Sequence, residues 1–261
     1  SRPGAPGLAL EVQEAKWGGK AWEISGQVIQ KAPFYDLNVP VRLETQGENI
    51  DMNVLLTSRA VPVTFRTERR PGRLVVDPEA DLFRRLDPSE VPPAVNGIKG
   101  STSLVVVASH SLSKEILEAS RTILDALGQG KAPVFVEDGA NAEHFHGHDV
   151  LYLGLPGGNA LQSLPSGVAV APDCFQVHGL TYDTPDDALF LVLSRPQDTG
   201  RLIGLFLPLS ERAASTGVRK ISHYGKYSYL VFRKGVNKDK GTWPVTSSPL
   251  IHVFSFKEVS S

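Results

Sequence analysis

The sequence predicts an α/β protein with a separate all-β part. Residues 8–80 hold short runs of alternating apolar and polar residues and lack a helical period, which indicates a small β-sandwich. In the second half, continuous apolar runs alternate with helical segments, which is typical of a sheet covered by helices. A cluster of three prolines separates the halves and favours a stiff, extended linker. We therefore predict a β-sandwich at 1–87, a Pro-rich joint at 88–96 and a three-layer, Rossmann-like α/β domain with a mostly parallel sheet at 97–261.

The strands of the first half follow one another at similar spacing. GKAWEISGQVIQ alternates apolar and polar residues. VPVRLETQGENIDMNVLL places two alternating runs around a polar turn with a glycine, which predicts a hairpin. AVPVTFRTE and RLVVD complete the set. Several short antiparallel strands in about 80 residues are typical of a β-sandwich.

The second half opens with SLVVVAS, a continuous apolar run that predicts a strand buried on both faces. Next comes KEILEASRTILDALGQG, a helical stripe that Ser111 or Ser113 can cap and that Gly128 or Gly130 ends. PVFVED, DVLYLGLP, GVAVAP, LFLVLSRP, GRLIGLFLP and YSYLVFRKG predict further strands, and SERAASTGVRKIS predicts a helix. This alternation is the basis for the parallel or mixed sheet.

Composition narrows the function classes. The chain has 261 residues, 41% hydrophobic and 21% charged, with a formal net charge of −1. No overall charge attracts nucleic acid, so no nucleic-acid partner is expected. The apolar runs are too short for a membrane-spanning segment, and no cofactor motif is found. Cys174 is the single cysteine, which excludes an intrachain disulfide. The start SRPGAPGLAL predicts a mature product or a fragment of a longer protein.

The stretch RLVVDPEADLFRRLDPSEVPP links the two predicted domains. Leu82, Phe83 and Leu86 fall at helical spacing, and we expect them to pack between the domains. Arg84 and Arg85 are interpreted as surface charges that pair with Asp or Glu, because charges at such joints are mostly solvated or paired.

Two motifs carry a family resemblance. QKAPFYDLNVPVRLET, followed by RLVVDPEADLFRRLDPSEVPP, resembles the C-terminal region of bacterial aminopeptidase N-type zinc metallopeptidase-like proteins. The zinc site of that family needs H-E-x-x-H on a helix, which this chain lacks. The resemblance implies a non-catalytic accessory region rather than an enzyme, with a scaffolding, domain-positioning or partner-recognition role. The implied partner is an upstream domain of a longer parent or another protein, and the implied location is the bacterial cell envelope or periplasm.

A competing hypothesis is an α/β ligand-binding or enzymatic module with its site at GLPGGN. Gly154, Gly157, Gly158 and Asn159 follow a predicted strand, and their amides could cradle an anion at the carboxyl edge of the sheet. His110 follows another predicted strand and should lie at the same edge if the two strands are parallel. The motif is neither G-x-G-x-x-G nor a Walker sequence, and a plain tight turn explains the glycines equally well.

Two further clusters of polar residues have both a functional and a structural interpretation. His144, His146 and His148 alternate, so on a strand they would share a face and could bind zinc or nickel; the alternative is a solvated polar loop.

The second cluster is His223, Tyr224, Lys226, Tyr227 and Tyr229, which could perform acid–base chemistry. Its alternative is a turn leading into a strand whose aromatic side chains pack at a sheet edge, since strands are rich in aromatic residues.

Overall fold

The chain forms two compact units. A computed structural model describes residues 4–110, 112–137, 145–158, 160–161, 164–195, 198–245 and 247–256. The first unit comprises the residues up to 91 together with the C-terminal segment from 245, and the second comprises 92–244. The sequence predicts 97–261 as the second domain. In the structure the segment from 245 onwards belongs to the first unit instead.

The first unit is a pair of antiparallel sheets around one apolar core. One sheet has the strand order β1-β2-β5 and the other β17-β6-β3-β4. Inward-facing side chains from both sheets form the core, as the alternating sequence predicts. The strands are β1 (Gly7–Trp17), β2 (Trp22–Lys31), β3 (Leu37–Thr45), β4 (Asn49–Leu56), β5 (Ala60–Thr67), β6 (Pro71–Val76) and β17 (Ile251–Val253).

Strand β17 closes the second sheet from the far end of the chain. It pairs antiparallel with β6, from Ile251 opposite Val75 to Val253 opposite Arg73. Leu250, just before it, is buried in the core of the first unit. A run of three strand residues is too short to be recognised by its periodicity, which is why the sequence did not reveal this return.

The segment after β6 is not the helical turn that the sequence predicted. The Asp77 carboxylate accepts hydrogen bonds from the backbone amides of Asp81 at 2.9 Å and Leu82 at 3.2 Å. Leu82 packs on the core of the first unit, whereas Phe83 and Leu86 are 85% and 50% exposed. The three apolar residues therefore do not act as one helical face.

The two adjacent arginines of this segment differ in environment. Arg84 donates through Nε to Asp77 at 2.8 Å and through both terminal nitrogens to Glu90 at 2.8 and 3.0 Å. The side chains of Arg84, Asp77 and Glu90 are only 6%, 0% and 10% exposed. Ser248 adds a hydrogen bond to Glu90 at 2.8 Å. Arg85 is exposed, so surface pairing was the wrong interpretation for Arg84, which lies in a buried network.

The second unit is built on a seven-stranded mixed sheet with the order β16-β15-β13-β14-β9-β7-β8. The pairs β14–β9, β9–β7 and β7–β8 are parallel, and the other three pairs are antiparallel. These strands are β7 (Leu104–Ala108), β8 (Val134–Val136), β9 (Asp149–Leu153), β13 (Asp187–Ser194), β14 (Leu202–Pro208), β15 (Tyr229–Arg233) and β16 (Val236–Gly241).

Helices and a small sheet cover opposite faces of this mixed sheet. Helices α1 (Val95–Lys99), α2 (Lys114–Ala126) and α3 (Glu211–Ile221) pack on one face. The other face packs against the three-stranded meander β10 (Val168–Val170), β11 (Phe175–Val177) and β12 (Leu180–Tyr182). Ser113 caps α2 by accepting from the Ile116 amide, and Ser111 lies outside the described residues.

The predicted fold class is therefore wrong. Strands make up 43% of the chain and helices 15%, in several sheets that include the mixed one. Two features overturn the three-layer, mostly parallel arrangement. GVAVAP contributes β10 to the separate meander, and LFLVLSRP and GRLIGLFLP pair antiparallel as β13 and β14. Residues 195–201 are too few for the crossover that a parallel connection needs.

Candidate functional site

The three parallel strands β7, β8 and β9 end at one edge of the mixed sheet, where polar groups gather. Ser109 and His110 follow β7, Glu137 follows β8, and the glycine-rich loop that begins at Gly154 follows β9. Because parallel strands present their carboxyl ends together, this edge was the predicted place for a ligand.

The carboxylate of Glu137 joins these segments. Its Oε2 accepts hydrogen bonds from the Ser109 hydroxyl at 3.1 Å and from the His110 amide at 3.3 Å. Its Oε1 accepts from the Gly157 amide, and Ser109 is also hydrogen-bonded to the Leu155 carbonyl. Ser109 is only 4% exposed, so its hydroxyl belongs to the interior of the unit. The Glu137 carboxylate thus connects the segments of this edge by hydrogen bonds.

The glycines of the loop have conformational and steric roles. Gly154 and Gly158 have φ values of +83° and +62°, which L side chains rarely adopt. A Cβ atom on Gly157 would lie 3.2 Å from Glu137 Oε1, so the glycine permits the close approach of the carboxylate. The Gly154 amide donates to the Phe206 carbonyl at 2.9 Å and so extends the sheet. Turn geometry therefore explains Gly154 and Gly158, and the close approach of the Glu137 carboxylate explains Gly157.

The structure brings several of the predicted ligand residues together. His110, Gly157 and their neighbours Gly154 and Gly158 lie at the predicted edge, whereas Asn159 lies outside the described residues. Sequence reasoning missed Glu137, which occupies the position between them. Its signal was available, because PVFV is a predicted strand and Glu137 follows it directly.

The histidines of the predicted metal site lie near the start of β9, at the opposite edge of the sheet. His146 is exposed, and His148 Nδ1 lies 3.1 Å from the Ser103 carbonyl oxygen. His144 is outside the described residues. Within the parts of the chain that the structure describes, no three His, Cys, Asp or Glu side chains are grouped so that they could hold a metal ion. The metal site with all three histidines stays a prediction.

The loop that carries His146 and His148 is held by two other side chains. Asp198 accepts a hydrogen bond from the Gly147 amide at 2.7 Å. This hydrogen bond lowers the pKa of Asp198; burial acts in the opposite direction, and nearby cationic groups lower the pKa further. Arg195 is hydrogen-bonded to the Phe145 carbonyl and to that of His148 at 3.3 Å. His146 and His148 therefore lie in a hydrogen-bonded loop rather than on a strand.

The tyrosines of the second predicted cluster are divided between two environments. Tyr229 is buried and stacks on Trp243 at a centroid distance of 4.7 Å. Its hydroxyl lies 3.3 Å from His178 Nδ1 and donates to Asp239 at 3.5 Å. Burial, with the Asp239 carboxylate, raises the pKa of Tyr229 to about 12. This phenol stays protonated at neutral pH and is a poor general base.

Tyr224 and Tyr227 lie apart from that hydroxyl network. Their ring centroids are 6.1 Å from each other. Lys226 Nζ lies 5.3 Å from the Tyr227 ring centroid, and His223 is exposed. Sequence reasoning placed His223 in the cluster with Tyr229, but the histidine beside Tyr229 is His178, which is distant in sequence and carried no local signal.

Comparisons with known proteins give no family assignment: no family model matches the sequence, and no match is found among curated proteins. No helix in the described parts of the chain is long and apolar enough to cross a bilayer. The resemblance to the aminopeptidase N-type C-terminal region consequently rests on its two quoted motifs alone.

Proposed function

We propose that this chain is a non-catalytic accessory region of an aminopeptidase N-like protein, with a role in domain positioning or partner recognition. The observation that carries the proposal is the set of hydrogen bonds that the Glu137 carboxylate accepts at the carboxyl edge. The amides of His110 and Gly157, which would cradle an anionic ligand, already donate to Glu137. An external anion would have to displace a carboxylate that also accepts from Ser109.

The aminopeptidase motif segments have structural roles that fit this proposal. The segment RLVVDPEADLFRRLDPSEVPP forms a buried ion network through Asp77, Arg84 and Glu90. A buried network of this kind fixes the path of the chain, and its three charged groups are bonded to one another rather than available to a substrate. The residues that carry the resemblance therefore support an architectural role.

A ligand titration separates this proposal from the ligand-binding alternative. Phosphate, nucleotides and short peptides are added to the full chain while its amide resonances are followed, with Glu137→Ala as the comparison. We expect no saturable shift at Gly157 or His110 in the wild-type chain. In Glu137→Ala these two amides lose their acceptor, so shifts with phosphate are expected only there. Saturable wild-type shifts at both residues would establish the ligand-binding module instead.

An activity assay and the parent gene test the remaining part. The chain should not hydrolyse aminoacyl chromogenic substrates, and turnover that a chelator abolishes would overturn the non-catalytic role. The full reading frame should encode an H-E-x-x-H domain upstream. A reading frame without that domain would refute the aminopeptidase N-like assignment.

A further inference from the structure

One edge of the mixed sheet concentrates positive charge. Residues 218–240 contain five lysines and two arginines against a single acidic residue, Asp239, in a chain whose formal net charge is −1. We call the exposed part of this segment the lysine edge. It comprises the side chains of Lys226, Lys234, Lys238 and Lys240, with Tyr224 and Tyr227 between them.

The lysine edge borders a strand with an unpaired side. Strand β16 is the terminal strand of the sheet and pairs only with β15 in the described part of the chain. Lys238 and Lys240 lie on β16, and the turn that precedes it is Lys234-Gly235, with φ values of +53° and +69°. Within β16 the Lys240 amide donates to the Asp239 carboxylate at 2.8 Å, and the Asp239 carbonyl accepts from the Asn237 side chain at 2.9 Å. An added strand would therefore pair with the remaining outward backbone groups, with ammonium groups alongside.

The charge of the lysine edge is not neutralised locally. The four lysines of this edge are exposed, and no carboxylate of the described residues lies within 4.0 Å of their ammonium groups. Asp239 faces the other way, since its carboxylate lies 3.5 Å from the Tyr229 hydroxyl and 3.6 Å from His178. Arg233 is held by Asp187 at 2.6 and 2.8 Å and adds no available charge.

The aromatic rings of this edge favour a protein over a nucleic acid. Lys240 Nζ lies 4.9 Å from the Tyr224 centroid and 5.3 Å from that of Tyr227, and Lys226 lies 5.3 Å from Tyr227. Single-stranded nucleic acids are bound by stacking bases on open aromatic faces. Here ammonium groups already occupy those faces. An extended peptide needs only the strand edge and the lysines.

A simpler role for edge lysines is to prevent sheets from joining edge to edge. That role needs charges on the strand itself, which Lys238 and Lys240 supply. Lys226 precedes β15 and lies outside β16, yet it shares the Tyr227 ring with Lys240 and so exceeds that need. We propose that the lysine edge binds an acidic, extended peptide segment of a partner, which adds as a strand along β16 and places its carboxylates against the lysines. This inference rests on the partner-recognition role proposed above.

A peptide series tests the inference on the full chain. The probe is a fluorescein-labelled peptide of about ten residues that alternates Glu and Thr, long enough to span an edge strand. Its binding is measured by fluorescence anisotropy at increasing salt. We expect saturable binding that weakens as salt rises, because the contacts are exposed charges. A Gln-Thr peptide tests the charge, and a Glu-Pro peptide keeps the charge but cannot pair as a strand.

Charge reversal locates the binding surface. Lys238→Glu with Lys240→Glu should raise the Kd roughly tenfold or more, since exposed ion pairs are lost and like charges oppose the peptide. The matched control is Lys20→Glu with Lys131→Glu, which changes the same charge at exposed positions elsewhere and should leave the Kd nearly unchanged. Circular dichroism and thermal melting establish that both variants are folded.

Each contrary outcome has a distinct meaning. Equal loss in both double variants, or equal binding of the Glu-Thr and Glu-Pro peptides, would refute strand addition at β16. Tighter binding of oligodeoxythymidine than of the Glu-Thr peptide would refute the acidic-peptide partner. Failure of every peptide, with no hydrolytic activity and no ligand shifts, would refute this inference while leaving the non-catalytic role intact.

Discussion

Arg84 should be among the residues whose loss most destabilises the first unit. Its guanidinium compensates two carboxylates, Asp77 and Glu90, whose side chains are 0% and 10% exposed. Replacing Arg84 by Ala leaves both acids without a cation, and removal of one partner of a buried ion pair typically costs about 3–5 kcal/mol. Arg85→Ala is the matched control, since Arg85 is exposed, and surface substitutions usually change stability by about 0.5 kcal/mol or less.

The free energy of unfolding can be measured separately for the first unit. Urea titrations are followed by tryptophan fluorescence in a Trp243→Phe background, so that the signal comes from Trp17 and Trp22, both in the first unit. A double-mutant cycle of Arg84→Ala and Glu90→Ala should show that the double variant loses less than the sum of the single variants. Equal losses for Arg84→Ala and Arg85→Ala would refute the claim that this network is buried and coupled.

The same network predicts a pH dependence. Burial alone would raise the pKa of Glu90, but hydrogen bonds from Arg84, the Asp87 amide and Ser248 lower it below its ordinary value of 4.5. A carboxylate with a lowered folded-state pKa stabilises the fold above its unfolded pKa, and this stabilisation is lost as the pH falls through the folded value. The free energy of unfolding should therefore fall below pH 4.5, and Glu90→Gln should lose less on acidification than the wild type.

Two further substitutions test the second unit. Glu137→Ala should lower the free energy of unfolding by about 1 kcal/mol, because Glu137 is half-buried and water can replace part of its hydrogen bonding. The Gly157 amide should then exchange faster with solvent, and an unchanged exchange rate would contradict its hydrogen bond to Glu137. Asp187→Ala should cost about 2 kcal/mol in urea unfolding, since Asp187 is fully buried and accepts from Thr184 and Arg233. This loss should be smaller than that of Arg84→Ala because the Arg233 side chain is 38% exposed and stays solvated.

Local sequence patterns identified most strands and helices but not how the strands pair. The two long helices, α2 and α3, and the strands β2 to β6 lie where periodicity predicted them. The incorrect part of the prediction was the relative direction of neighbouring strands in the mixed sheet. The residue counts between strands contained the answer, since residues 195–201 permit a hairpin and not a helical crossover. Strand β17 was beyond prediction, because three residues carry no usable periodicity and their pairing with β6 depends on tertiary packing.

The candidate site shows the same division between what sequence encodes locally and what packing decides. The carboxyl-edge rule placed His110 and Gly157 near each other, and applied to PVFV it would also have found Glu137. No such rule separates Arg84 from Arg85, which are neighbours of identical chemistry. Their difference lies in the path of this loop, which has φ values of +55° and +56° at Asp77 and Ala80 and which brings Arg84, and not Arg85, to Asp77 and Glu90. Left-handed conformations at residues other than glycine are uncommon and cannot be inferred from the residue type.

The two edges of the second unit use polar groups in opposite ways, and this contrast bears on function. At the carboxyl edge, Glu137 satisfies the amides of His110 and Gly157, so a ligand must first displace an internal bond. At the lysine edge, Lys238 and Lys240 are exposed, and the strand that carries them is paired on one side. Binding free energy comes from interactions that the unbound protein leaves unmade. We therefore expect recognition by this unit along the β16 strand edge rather than in the glycine-rich loop, in line with the accessory role proposed above.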